Sequence, residues 1–206
     1  MKKIVLLLTG LLIIAFSCDK IDTSKEVFKT IGQVDVGAWN EEFAKKVVQK
    51  IYVEEFTGHR CTNCPTGARE LKAIMNEDST IIVTAIHCSF FADPLSKPPF
   101  NINYKTPMGD IIYKDFNIKA LPKITVNRFK NKNEWEINLS DWRTFIKNID
   151  RNNVRAGIEI QYSVNESIQE VEAKVSVTVI KEIKNPVQLC IVLQENGIVS
   201  GQLDEK

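Results

Sequence analysis

Cys61-Thr62-Asn63-Cys64 places two thiols where a short β pattern, Lys50-Ile51-Tyr52-Val53-Glu54-Glu55-Phe56, gives way to a helical one. At a helix start, unpaired backbone N–H groups and the helix dipole favour a thiolate on the first sulfur. The second sulfur, one turn on, can then resolve a mixed disulfide. Pro65 follows at once, and proline is tolerated in a first turn, where its missing N–H is no loss. The short loop closed by a Cys61–Cys64 bridge would constrain the unfolded chain little, so a purely structural role explains it poorly. The pair suits thiol–disulfide exchange.

The neighbours of this pair carry further chemistry. Arg60 and a protonated His59 would stabilise a Cys61 thiolate, or both could be loop residues in water. Cys61, Cys64, His87 and Cys88 also form a set of zinc-type ligands. Strand neighbours His87 and Cys88 point to opposite faces, however, and one C-x-x-C without a second pair is a poor zinc signature, so no metal is assigned. Cys88 and Cys190 lie in apolar β patterns, 81–88 and 187–193, and read as buried, inert thiols.

These residues must be held by alternating strands and helices, which point to α/β layers. The pattern gives a strand at 50–56, a helix at about 62–76, a strand at 80–88, a helix at about 107–116, a strand at 122–128 and a helix at 140–149. Ala68, Leu71, Ile74 and Met75 form the apolar stripe of the helix after Cys64. Between 89 and 107, Pro94, Pro98, Pro99 and Pro107 preclude a helix or central strand, leaving a long loop of the kind that is often functional. After Asn153 the pattern turns to strict alternation, Val154 to Val164 and Val171 to Val179, as in half-buried antiparallel strands. A strand at 187–193 and a turn at Glu195-Asn196-Gly197 follow. So few strands make one sheet, whose apolar face needs a partner.

The N-terminus bears on compartment. Met1-Lys2-Lys3 and the apolar run from Ile4 to Phe16 read as a secretory signal peptide over 1–17, too short to span a bilayer comfortably. Ala15-Phe16-Ser17-Cys18 resembles a bacterial lipobox, which implies that Cys18 becomes a lipid-bearing N-terminus anchored in the membrane. Polar residues over 18–37 read as a tether, 38–150 as the α/β domain and 151–206 as the β segment. Twenty-seven Lys and Arg against 26 Asp and Glu leave a net charge of +1 with no long like-charge run, which argues against nucleic acid as a partner.

Lys50 to Met75 together with Tyr113 to Arg128 resembles the thioredoxin superfamily. The first stretch supplies strand, C-x-x-C and helix. The second, Tyr113-Lys114-Asp115-Phe116-Asn117-Ile118-Lys119-Ala120-Leu121-Pro122-Lys123-Ile124-Thr125-Val126-Asn127, is similar to the family's run leading to a strand-opening proline. The resemblance implies a cis Leu121–Pro122 bond beside the disulfide and a Leu121 backbone that binds an extended substrate. It also implies that Glu55, six residues before Cys61, is a buried acid serving as proton acceptor for Cys64. Glu54 and Glu55 point to opposite faces, so at most one is expected beside the thiols, and Glu55 is preferred. Val53 to Pro65, with its E-x-x-T-G and C-x-N-C-P segments, is similar to thioredoxin-like outer-membrane lipoproteins of Bacteroidetes-type bacteria, which continue into a β-sandwich.

The expected molecule is therefore an α/β protein: a thioredoxin-like domain followed by an antiparallel β segment resembling the start of a β-sandwich. Its expected activity is disulfide exchange with protein or peptide thiols in the cell envelope, on the outer membrane, with Cys61 attacking, Cys64 resolving and no cofactor. The alternative is a surface binding or assembly lipoprotein that keeps the scaffold without catalysis.

Overall fold

The computed structural model describes residues 35–37, 41–184, 187 and 189–205; the expected leader, Cys18 and all but the last three residues of the expected tether lie outside them. The element order is β1 (Asp35–Gly37), α1 (Glu41–Lys46), β2 (Ile51–Thr57), α2 (Cys64–Glu77), β3 (Ile81–His87), α3 (Pro107–Asp115), β4 (Lys123–Val126), α4 (Trp142–Lys147), β5 (Ala156–Asn165) and β6 (Glu170–Val179), with 3-10 turns at Phe90–Ala92 and Leu139–Asp141. The fold is mixed α/β. One three-stranded sheet has the order β3-β2-β4, with β3 parallel and β4 antiparallel to β2; the other has the order β1-β6-β5.

Strand β2 has a covered layer on each face, which requires apolar residues at both parities. Ile51 and Val53 pack with Leu71 and Ile74 of α2, Ile124 and Val126 of β4, and Trp142 and Ile146 of α4. On the opposite face Phe56 packs with Ile86, Cys88 and Ile118, backed by Ile112 and Phe116. Two helices thus lie on one side of the sheet and α3 on the other. Trp142 is fully buried, and its indole N–H donates to the Ile137 carbonyl at 2.9 Å, so the largest core side chain leaves no unpaired polar atom.

Helix α2 carries the second cysteine as its first residue. Its buried face is Cys64, Gly67, Leu71 and Ile74, so the stripe is rotated from the expected one: Ala68 and Met75 face outward. Burial of Leu71 and Ile74 stabilises the contact by roughly 1.5–3 kcal/mol each. The helix stops at Asp78, whose N–H bonds the Ile74 carbonyl at 3.1 Å. Its carboxylate accepts from Arg151 and from the Thr80 hydroxyl and N–H, which hold its pKa down at about 2. Helix α3 opens on Pro107, with the Thr106 hydroxyl accepting from the Gly109 N–H at 3.0 Å.

Two expectations for the outer sheet are corrected. Residues 35–37, read as tether, form β1 and pair in parallel with β6, Asp35 opposite Ser176. The expected strand at 187–193 does not form among the described residues, where 187 and 189–205 carry no strand. One edge of β6 is paired with β1 over Ser176–Thr178, and an apolar pattern does not by itself decide whether a segment pairs. Cys190 is consequently exposed rather than buried, whereas Cys88 is buried as expected. On the β5–β6 hairpin, the cross-strand pairs Ile158–Val177, Ile160–Val175, Tyr162–Ala173 and Val164–Val171 share one face. Most of that face is open to solvent, Tyr162 by 73%.

Gly67 is a tight joint between α2, α4 and the residue before β4. A Cβ there would lie 2.8 Å from the Trp142 ring and 3.1 Å from Pro122. Gly67→Ala is therefore expected to lower stability by about 1–3 kcal/mol, the usual cost of overpacking, against the gain that alanine brings to a helix interior. Urea midpoints of the two proteins measure this; an unchanged or raised midpoint contradicts the packing described.

Candidate functional site

Strand β2 delivers the chain to a tight loop, Gly58 to Asn63, and α2 begins immediately after it. Cys61 N–H bonds the Gly58 carbonyl at 2.9 Å and Cys64 N–H the Cys61 carbonyl at 3.3 Å, so the loop coils into the helix. Cys61 and Cys64 form a disulfide with their Cα atoms 5.4 Å apart. Both are buried, at 3% and 1% exposure. A Cβ on Gly58 would meet Phe91 backbone at 2.7 Å, so glycine lets the loop pass under residues 89–92.

The residues expected around the disulfide are distributed as follows. The Leu121–Pro122 peptide is cis, and Pro122 abuts the first turn of α2 at Gly67, one turn from Cys64. Leu121 packs at the margin of the Phe56 cluster. Glu55 shares its face of β2 with Ile51 and Val53, the face covered by α2, and pairs in register with Ile124. It is buried, its Oε1 has no hydrogen-bond partner, and burial pushes its pKa up to about 7.

Glu54 and Glu55 point to opposite faces of β2, so only Glu55 lies on the side covered by α2. Glu54 is buried too, at 1% exposure. It lies on the α3 side, where it accepts from the Thr125 hydroxyl at 2.6 Å and from Arg128 at 2.7 Å. Arg128 itself lies over the Phe116 ring, 5.3 Å from its centroid. Adjacent carboxylates have thus been given opposite treatments: an ion pair on one face, no partner on the other.

His59 is neither a loop residue in water nor a charged neighbour of Cys61. It is 1% exposed, stacked on Phe100 at 5.7 Å between centroids, with Tyr104 edge-on and His87 at 6.3 Å. Burial, and then the charge of Arg60, lower its pKa, so the imidazole is neutral near pH 7. Arg60 is turned to the Asp93 carbonyl at 3.1 Å. Of the zinc-type set, His87 packs with Tyr104, and Cys88 donates to the Thr57 carbonyl at 3.8 Å, burial raising its thiol to about 12. Among the described residues no three His, Cys, Asp or Glu side chains converge as a metal would need.

A feature the sequence pattern did not disclose lies over the loop. Leu203 N–H bonds the His59 carbonyl at 2.9 Å, and the Gln202 amide donates to the carbonyls of Cys61 at 3.0 Å and Gly58 at 3.3 Å. Asp204 pairs with Arg69 of α2 at 2.9 Å. The Asn63 amide, with its nitrogen turned to Glu205, donates to that carboxylate at 2.8 and 3.2 Å, and the Thr62 hydroxyl lies 3.4 Å from it. The one hint in the sequence is the acidic pair Asp204-Glu205.

No family model matches this sequence, and no curated protein matches it. Among solved structures it is similar to protein AGR_C_4864 from Agrobacterium tumefaciens, at 15% identity and a TM-score of 0.40. The similarity covers 63% of this chain, which spans 57% of that one.

Glu55 supplies a direct test of the site's electrostatics. Its carboxyl moves from an ordinary value of 4.5 to about 7 on folding, so the native chain holds an extra proton between those values. Its contribution is complete below pH 4.5 and is lost as pH rises through 7, a total of roughly 3 kcal/mol. Glu55→Gln should remove that fall, making the variant the more stable of the two at pH 8. Urea unfolding at pH 4.5, 7 and 8.5 reads it; parallel pH profiles for both proteins contradict the assignment.

Proposed function

We propose that this chain is a thioredoxin-like lipoprotein of the bacterial cell envelope whose Cys61–Cys64 pair exchanges disulfides with protein or peptide thiols. The observation that carries the reading is a C-x-x-C disulfide in which Cys64 itself opens α2. Backbone N–H groups at that terminus favour negative charge on the sulfur that leaves. The cis bond before Pro122, the contact of Pro122 with the first turn of α2, and the helix–sheet–helix layering add support for a thioredoxin-like domain.

In the reading, a partner thiolate attacks Cys61 Sγ, forming a partner–Cys61 disulfide while the Cys61–Cys64 bond breaks and the electron pair leaves on Cys64. Glu55, whose raised pKa of about 7 keeps about half of it protonated at neutral pH, gives its proton to the Cys64 thiolate. A second partner thiolate then attacks the partner sulfur of the mixed disulfide and expels Cys61 as thiolate. The partner has lost two electrons and the pair has gained them. Run in reverse, the same steps reduce a partner disulfide, with ionised Glu55 taking the proton from Cys64. Leu121 and Pro122 would line the groove that presents the partner.

The location rests on the leader-like 1–17 segment and the lipobox-like residues ending at Cys18. No helix among the described residues is long and apolar enough to cross a membrane. A second reading, a non-catalytic binding or assembly module, is favoured by the open apolar face of β5 and β6, with Ile158, Ile160 and Tyr162 all more than half exposed.

The two readings part on trapping. A Cys64→Ser protein, in a Cys190→Ser background to remove the exposed thiol, is expected to accumulate one disulfide-linked peptide per chain when offered a disulfide-containing model peptide. Adding Cys61→Ser should abolish the adduct. Mass spectrometry reads both; no adduct on Cys61, or equal adduct without it, removes the exchange reading and leaves the binding module.

A further inference from the structure

Little of the disulfide is open to attack as the chain stands, since exchange needs a thiolate in line with a sulfur and both cysteines are buried, at 3% and 1% exposure. Residues 202–205 lie on the loop that carries Cys61, and each makes a polar contact with that loop or with α2. Gln202 is held by the carbonyls of Gly58 and Cys61, Leu203 by the His59 carbonyl, Asp204 by Arg69, and Glu205 by Asn63 and Thr62. A main-chain N–H and a side-chain amide hold the segment to the loop, and two successive side-chain positions, Asp204 and Glu205, are read by groups that favour carboxylates. We infer that the surface made by Gly58 to Asn63 and Arg69 binds an extended acidic polypeptide segment, occupied in this structure by residues 202–205, which a partner protein displaces to reach the disulfide.

The resident segment has the marks of a replaceable one. It carries no strand or helix, and its apolar side chains hardly anchor it: Leu203 is 39% exposed, Ile198 50% and Val199 95%. Beneath it lies a cavity of about 230 Å³, lined by His59, His87, Tyr104 and Ser200 among others, and both ring nitrogens of His59 lack hydrogen-bond partners. Elements with few buried apolar contacts and polar attachments open at low cost. Gly201 passes so close to Pro99 that a Cβ would sit 2.5 Å from its ring, so a larger residue there forces the segment away without touching the surface it covers.

The identity of the partner as a substrate rests on the exchange reading, whereas the surface itself does not, and the test separates them. In the full chain, the rate at which dithiothreitol opens the Cys61–Cys64 disulfide is followed by quenching and alkylation. Arg69→Glu and Gly201→Val should each raise it about two- to fivefold, the scale of one exposed ion pair. Arg69→Glu combined with Asp204→Arg should return it to the wild-type rate. A synthetic peptide of sequence 200–205 should slow the Gly201→Val protein, and the same peptide with Asn and Gln in place of the two acids should not. Equal rates in wild type and both variants overturn the inference, as does equal competition by the neutral peptide. Faster opening with these responses but no Cys61 adduct in the trapping experiment sustains the surface and removes the exchange reading.

Discussion

Strand β2 is buried on both faces from Val53 to Thr57, so each carboxylate it carries must find a partner or a proton. Glu54 finds Arg128 and Thr125 on the α3 side. Glu55, one residue on and one face over, finds neither, and its acid stays protonated up to about pH 7. A structure that solves the first problem so completely and leaves the second open puts a proton store on the face covered by α2, whose first residue is Cys64. Removing Arg128 would leave the buried Glu54 carboxylate with the Thr125 hydroxyl as its remaining partner, a loss of up to about 3–5 kcal/mol. The register that sets both residues is therefore among the costliest features to alter.

The same strand fixes the rest of the site by leading into the Gly58–Asn63 loop. The loop is short because glycine clears Phe91 and because α2 starts as soon as the second cysteine arrives. Helix α2 is held at its N-terminal end by the Gly67 contact with Trp142 and Pro122, and at its C-terminal end by Asp78 with Arg151. Arg143 adds ion pairs to Glu70 and Glu77 on its outer face, worth little individually at an exposed position. The disulfide thus sits on a rigid helix terminus beneath a loosely attached segment, an arrangement in which access to the sulfurs can vary while their geometry does not.

Much of the α/β part was legible in the residues because its elements are long and periodic. Strand β2, helix α2, strand β3 and helix α3 begin and end within about two residues of the expected limits. What misled was context. Alternation implies one dry face only when the other is wet, so Glu54 could not be recognised as buried until α3 was seen to cover its side. His59 gave no sign of its aromatic surroundings, since Phe100 and Tyr104 come from the long loop. The apolar run at 187–193 read as a strand because periodicity does not report whether a segment finds a partner, and its described residues join neither sheet.

The central claim is that Cys61–Cys64 is an exchangeable couple rather than a fixed brace. Its reduction potential, measured by equilibration of the full chain against defined ratios of reduced and oxidised dithiothreitol, tests this most directly. The account predicts a value above about −300 mV, in the range of dithiol couples that turn over. A value below about −300 mV, where structural bridges of secreted proteins lie, would contradict it.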